Sequence, residues 1–134
     1  MIRQYATFTP NGNSERGEHL SCAAWLKEHH AERWQWVFHC PNESRSTPQH
    51  RAMLASMGVK PGIPDLIDLD GQRGIIGMFE LKRRDKKARP TKEQNVFLLN
   101  NAQAGGFSAV CWGFDQFVIA YSDYLEYCLT CGAK

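Results

Sequence analysis

No run of eighteen apolar residues occurs in this sequence, so it offers no candidate for a helical membrane span. The first residues, Met1-Ile2-Arg3-Gln4-Tyr5, lack the apolar stretch and small-residue cleavage site of a secretory signal. Together these absences predict a soluble, cytoplasmic protein. Net charge is also small, at +2 with an isoelectric point near 8.3. Total charge therefore announces no nucleic-acid partner, and only local clustering can make that case. The five cysteines are an odd number without a secretion signal, which disfavours a disulfide framework. Cys22, Cys40 and Cys111 sit among apolar neighbours, and Cys128 and Cys131 form a single C-x-x-C near the end. A structural zinc needs about four ligands and no second pair is present, so incidental thiols are the expectation. A redox role wants that motif just after a strand and opening a helix, which this position does not supply. Internal repeats and low-complexity segments are likewise missing. What is there is ordinary globular composition: 134 residues, 43% hydrophobic and 22% charged, read as one domain over residues 1–134.

Asn13 or Ser14 can cap a helix to about His30, with Leu20, Ala23, Ala24 and Leu26 as its apolar face. From Trp34 to Cys40 a period of two puts Trp34, Trp36, Phe38 and Cys40 on one side of a half-buried strand. Pro41-Asn42-Glu43-Ser44 breaks it, and Thr47-Pro48 opens a short helix that Gly58 closes. Two strands follow, Asp65 to Leu69 and Gly74 to Lys82, joined by the hairpin signature Asp70-Gly71-Gln72-Arg73 and predicted to pair antiparallel. Thr91 caps a helix to about Ala104, Gly105-Gly106 stop it, and Phe107 to Trp112 forms a strand. Phe114 to Cys128 reads as helix, with Phe117, Val118, Tyr121 and Leu125 at core spacing. The order predicts an α/β layer arrangement around one small mixed sheet flanked by helices.

The chemistry concentrates on the paired strands. Asp65 follows Pro64, which cannot donate to a ladder, so its carboxylate belongs at a sheet rim. Glu80 and Lys82 are two apart on the next strand and project together, opposite Phe79 and Leu81. Antiparallel pairing through the Asp70-Gly71 turn brings Asp65 within reach of Glu80. Two carboxylates on one rim suit a hard divalent cation that keeps several waters and takes phosphate oxygens, namely Mg²⁺ or Mn²⁺. With an ammonium alongside, Asp65, Glu80 and Lys82 supply the components for phosphodiester hydrolysis. An isolated E-x-K triplet is more often a surface salt bridge. The Pro-Asp at the adjoining strand start and the Gln at the head of the next helix lift it above that.

With these residues the sequence resembles the VRR-NUC family of the PD-(D/E)XK nuclease superfamily. Gly58-Val59 through Gly62-Ile63-Pro64-Asp65-Leu66 resembles the family's G-V-x-x-G-x-P-D-L segment. Phe79-Glu80-Leu81-Lys82 resembles its E-L-K strand, and Gln94 falls where its helix carries a Gln. The acidic start of the first helix and Pro41-Asn42 also match, so the likeness spans roughly Ser14 to Tyr124. It implies a restriction-endonuclease-like core (α-β-β-β-α-β). Asp65, Glu80 and the backbone carbonyl of Leu81 would be metal ligands, Lys82 would orient or activate the attacking water, and Gln94 would help position the centre. A first-helix acid would complete the site. Spacing back from Trp25-Leu26 favours Glu15 over Glu18, with His19 one turn on, although acids in a first helical turn also simply complement the helix dipole. Gln94 has an equally good local reading as the reciprocal partner in a capping box opened by Thr91.

Lys82, Arg83, Arg84, Lys86, Lys87 and Arg89 place six basic residues within eight positions just beyond the candidate strand. Such a run is usually a solvated loop, but bordering a metal site it can neutralise phosphates flanking the scissile one. Arg45, His50 and Arg51 offer a second basic rim, or exposed helix positions. Trp34, Trp36, Phe38 and Trp112 are better explained by core packing than as base-stacking platforms. His29-His30 suits a helix end better than a metal pair, because adjacent helical positions do not face each other.

The expectation is thus a Mg²⁺- or Mn²⁺-dependent endonuclease without organic cofactor, acting on DNA and by resemblance on branched DNA such as a Holliday junction. Symmetric junction cutting calls for a homodimer. Family members of this size suggest recombination, repair or phage genome processing in a bacterial or phage-infected cell. The alternatives are a flap-type or nonspecific nuclease, and a non-catalytic nucleic-acid-binding module.

Overall fold

The computed structural model describes residues 1–7, 14–41, 47–85 and 88–132. The elements in chain order are β1 (Arg3–Ala6), α1 (Glu15–His29), α2 (Ala31–Trp34), β2 (Val37–Phe38), α3 (Pro48–Ser56), β3 (Leu66–Asp68), β4 (Gly77–Lys82), α4 (Lys92–Gln103), β5 (Phe107–Trp112) and α5 (Phe114–Gly132). They build one five-stranded sheet in the order β1-β5-β4-β3-β2. β5 lies parallel to β1 and β4, whereas β3 is antiparallel to β4 and β2. The mixed α/β sheet flanked by helices is the one the sequence predicts.

Period-two alternation decides which helix covers which face. Phe79 and Leu81 of β4 and Phe107, Ala109 and Cys111 of β5 pack with Cys22 and Leu26 of α1 and with Phe117, Ala120, Tyr121 and Tyr124 of α5. The alternate residues, Met78, Val110 and Trp112, pack with Leu98 of α4, Ile2 and Ala6. Phe79 anchors the first cluster through ring contacts of 5.3–5.8 Å with Phe107, Phe117, Tyr121 and Tyr124, each adding about 0.5–1.5 kcal/mol beyond buried area. Parallel β4 and β5 need a crossover, and α4 supplies it. Asn101 fastens that crossover by donating to the Ile76 and Phe107 carbonyls at 3.1 and 3.0 Å.

Local signals place most ends. Ser14 caps α1 by accepting from the Gly17 amide at 3.1 Å, while the alternative cap, Asn13, lies outside the described residues. Thr47 caps α3 ahead of Pro48, and Thr91 caps α4. The segment 42–46, expected as a strand break, is also outside the described residues.

Three expectations are corrected. β1 has no counterpart in the sequence reading, because four residues are too short for periodicity to register. Its pairing with β5 forms it, with Ile2 and Ala6 packed on one face and Tyr5 on the other. The buried stripe of α1 is Glu18, Cys22 and Leu26, not one containing Leu20, which is 63% exposed. The Trp34–Cys40 strand has the wrong phase and length. Trp34 ends a helical turn and stacks under the Lys27 ammonium at 5.1 Å, Val37 is buried, and Trp36 and Phe38 are 39% and 44% exposed. Trp36 instead lies so close over Gly71 that a Cβ there would come within 2.1 Å of its ring. Trp112 is buried as expected and donates to the Ala88 carbonyl at 2.9 Å. Cys22, Cys111 and Cys128 are buried, Cys40 and Cys131 half-buried, and all five are free thiols. Among the described residues no helix is long and apolar enough to cross a membrane.

Candidate functional site

The register of the hairpin sets the site. Leu66 pairs with Phe79, so Asp65, one step before β3, stands opposite Glu80 of β4. The Asp65 amide donates to Glu80 Oε1 at 3.2 Å, and the Leu81 amide donates to Asp65 Oδ2 at 2.8 Å. These reciprocal bonds lock the two carboxylates to one rim of the sheet. Glu80 and Lys82 leave β4 on the side away from Phe79 and Leu81, as alternation requires. Lys82 Nζ lies 3.1 Å from Glu80 Oε2 and 3.4 Å from Glu15 Oε1.

Gly62 explains how a second helix reaches this rim. Its φ of +85° is left-handed, and a Cβ there would lie 2.5 Å from the Glu93 carbonyl carbon and 2.7 Å from the Gln94 amide nitrogen. Only glycine lets the segment entering β3 press its backbone onto the first turn of α4. Gln94 sits in that turn. Its Oε1 accepts from the Thr91 amide at 2.8 Å while Thr91 Oγ1 accepts from the Gln94 amide at 3.2 Å, a complete capping box. The structure thus shows Gln94 as a cap partner beside the rim.

The first-helix acids separate cleanly. Glu15, half-buried in the opening turn of α1, joins Asp65 and Glu80 in a group in which each offers one carboxylate oxygen within 4.8 Å of the other two. Glu18 points elsewhere. Fully buried, it takes Arg84 Nε and Nη2 at 3.2 Å each and the Phe114 amide at 2.6 Å, tying α1 to the loop after β4 and to the start of α5. Glu18 thus holds these elements together, whereas Glu15 lies beside Asp65 and Glu80.

Three carboxylates face one ammonium here. Burial first, and then the neighbouring Asp65 charge, push the Glu80 carboxyl up to about 8 against the opposing pull of Lys82. Burial alone would lower Lys82, but Glu80 and Glu15 outweigh it and hold the ammonium protonated above its ordinary range. An oxygen-liganded divalent cation is the group that relieves such an excess of acid, so the donor set fits one. A second group shares Asp65: His19 of α1 and His39, just past β2, each offer a nitrogen within the same 4.8 Å limit. His39 is not singled out by the sequence pattern, because its signal is its phase with buried Val37, which the neighbouring aromatics mask.

The described basic residues differ in exposure and in partners. Arg83 is half exposed and pairs with Asp85 at 2.8 Å. Arg84 is committed to Glu18 and, at 3.4 Å, to Asp115. Arg89 is exposed on the approach to α4, and Arg51 and His50 are exposed on α3. Arg45, Lys86 and Lys87 lie outside the described residues.

No family model matches the sequence, and no curated protein matches it. Among solved structures, one described as a VRR_NUC domain protein aligns over 87% of this chain and 92% of its own, with a TM-score of 0.73 at 22% identity. The α/β arrangement read from the residues thus belongs to a known architecture: the chain has the fold of a VRR_NUC domain protein.

Proposed function

We propose that this chain is a metal-dependent nuclease that hydrolyses DNA phosphodiester bonds at the Asp65 end of β3. The observation that carries this reading is the group Glu15, Asp65 and Glu80, with Lys82 between two of the acids, on a fold like that of a VRR_NUC domain protein. Asp65, Glu80 and Glu15 would hold Mg²⁺ or Mn²⁺, joined by the Leu81 carbonyl as the family resemblance implies. When bound, the cation would supply Lewis-acid stabilisation of phosphoryl oxygens and a water of lowered pKa.

Lys82 has a narrower role than its residue type allows. Held protonated by Glu80 and Glu15, it is a poor proton acceptor and a good fixed positive charge. It orients the attacking water and stabilises charge developing on the phosphate. Attack on phosphorus with departure of the 3′ oxygen leaves a 5′-phosphate and a 3′-hydroxyl. Gln94 holds the first turn of α4 in shape beside the Gly62 segment, and so positions the rim. Arg83, Arg89 and Arg51, together with Arg45, Lys86 and Lys87, are proposed phosphate contacts, while Arg84 serves the fold through Glu18.

Branched DNA, a four-way junction above all, is the proposed substrate class, with a homodimer to match its symmetry and a role in recombination, repair or phage genome processing in the cytoplasm. The test incubates four-way, flap and linear duplex DNA with the protein, with and without Mg²⁺ or Mn²⁺, and repeats it with Lys82→Ala. We expect cation-dependent cutting, greatest on the four-way junction, that falls by about 10²-fold or more in the variant. Equal cutting by Lys82→Ala, or none by the parent protein, contradicts the proposal.

A further inference from the structure

His19 and Glu15 are four apart on α1 and share a face, so the helix presents one acid and one imidazole to the same strand end. His39 arrives as the residue just past β2. Its ring meets the His19 ring edge-on at a centroid distance of 4.5 Å. His39 Nδ1 lies 2.7 Å from the Asp65 backbone carbonyl, which can only accept, so this nitrogen donates and, in the neutral ring, Nε2 is the nitrogen with the lone pair. Metal-ligating histidines are typically fixed in this way, with one ring N–H given to a carbonyl and the other nitrogen left to the ion. Both imidazoles and the Asp65 carboxylate offer atoms within 4.8 Å of one another.

We propose that His19, His39 and Asp65 form a second cation site, beside the acidic one, that takes an imidazole-seeking first-row transition metal such as Zn²⁺ or Co²⁺ in preference to Mg²⁺. Two nitrogen donors and one carboxylate suit these ions, whereas Mg²⁺ is a hard cation that seeks oxygen. Asp65 has two carboxylate oxygens with lone pairs enough for both sites, so occupancy of one alters the ligand field of the other. The proposal goes beyond the nuclease reading, because ligation by these three groups holds whether or not the chain cuts DNA.

The test titrates the whole protein with Co²⁺ in a large excess of Mg²⁺, following heat and the paramagnetically shifted imidazole N–H resonances. We expect a single Co²⁺ ion to bind under Mg²⁺ saturation, with shifted signals from two histidines. His19→Ala and His39→Ala each lose the corresponding signal and weaken Co²⁺ binding by at least about 10-fold, whereas Glu80→Gln keeps both signals. His39→Gln, checked for an unchanged melting temperature, separates loss of the ligand from loss of the fold. Displacement of Co²⁺ by Mg²⁺, absence of shifted imidazole signals, or unweakened binding by the histidine variants overturns the site. Loss of the signals in Glu80→Gln also overturns it, since the histidines would then serve the acidic centre. Absence of DNA cutting alongside histidine-bound Co²⁺ sinks the nuclease reading and supports this one.

Discussion

The two ends of β3 both gather acids, yet they are finished in opposite ways. At the far end, Asp68 and Asp70 are almost completely buried and fully partnered. Arg33 reaches both carboxylates at 3.3 Å, the Tyr121 hydroxyl donates to Asp68 at 2.5 Å, and the Asp70 and Ile75 amides donate at 2.8 and 3.2 Å. Tyr124, whose hydroxyl donates to the Ile75 carbonyl, closes the group. At the near end, Asp65, Glu80 and Glu15 share one lysine, and the Glu80 carboxyl rises to about 8. One end has completed its electrostatics with the protein's own groups; the other is left acid-rich and open to a cation. Buried acids alone do not mark a site, and incomplete compensation does.

Substitutions that exchange these two behaviours break the comparison. The largest effect is expected from Glu80→Ala: cation-dependent cleavage falls by about 10²-fold or more, as read by single-turnover assay, because an electrostatic component of the centre is gone. Asp68→Ala does the reverse. Removing Asp68 leaves Arg33 with Asp70 alone and takes the acceptor from the buried Tyr121 hydroxyl and the Asp70 amide, which costs on the order of 3 kcal/mol in urea unfolding, while cleavage per folded molecule is unchanged. Next comes pH. Below about 8 Glu80 holds a proton that the cation must displace, so Mg²⁺ affinity measured by calorimetry rises between pH 6 and 8, by at most about tenfold per unit, with proton release. Glu15→Gln and Glu18→Gln sharpen the contrast within one helix. The first weakens cation binding with little change in melting temperature. The second lowers stability by about 1–3 kcal/mol, since the Arg84 and Phe114 donors lose a charged acceptor. Smallest is Arg89→Ala, expected to weaken DNA binding uniformly and to reduce the salt slope by about 0.9.

Most of the near end was legible in the sequence, because its parts are local. Pro64 before Asp65, the two-residue spacing of Glu80 and Lys82, and antiparallel pairing through the Asp70-Gly71 turn bring the two acids within reach of each other. β3 and β4 nevertheless pair only from Asp68 and Gly77 inward, beyond the four-residue turn that the sequence suggests. The choice between Glu15 and Glu18 was not legible. It depends on Arg84 and the Phe114 amide, which lie far along the chain and meet Glu18 only after α5 has docked. Asp68 and Asp70 were hidden for the same reason: their partners Arg33 and Tyr121 come from other elements, and Asp70 read simply as a turn residue. His39 was lost to a phase error. Trp34, Trp36 and Phe38 imitate the buried side of a strand, whereas Val37 is the residue the sheet buries.

An anomalous-diffraction map of crystals soaked in Mn²⁺ tests the contrast between the two ends of β3 most directly. The account predicts a peak among Glu15, Asp65 and Glu80 and none beside Asp68 and Asp70. An ion at the Arg33 end, or no ion at the Asp65 end, would contradict it.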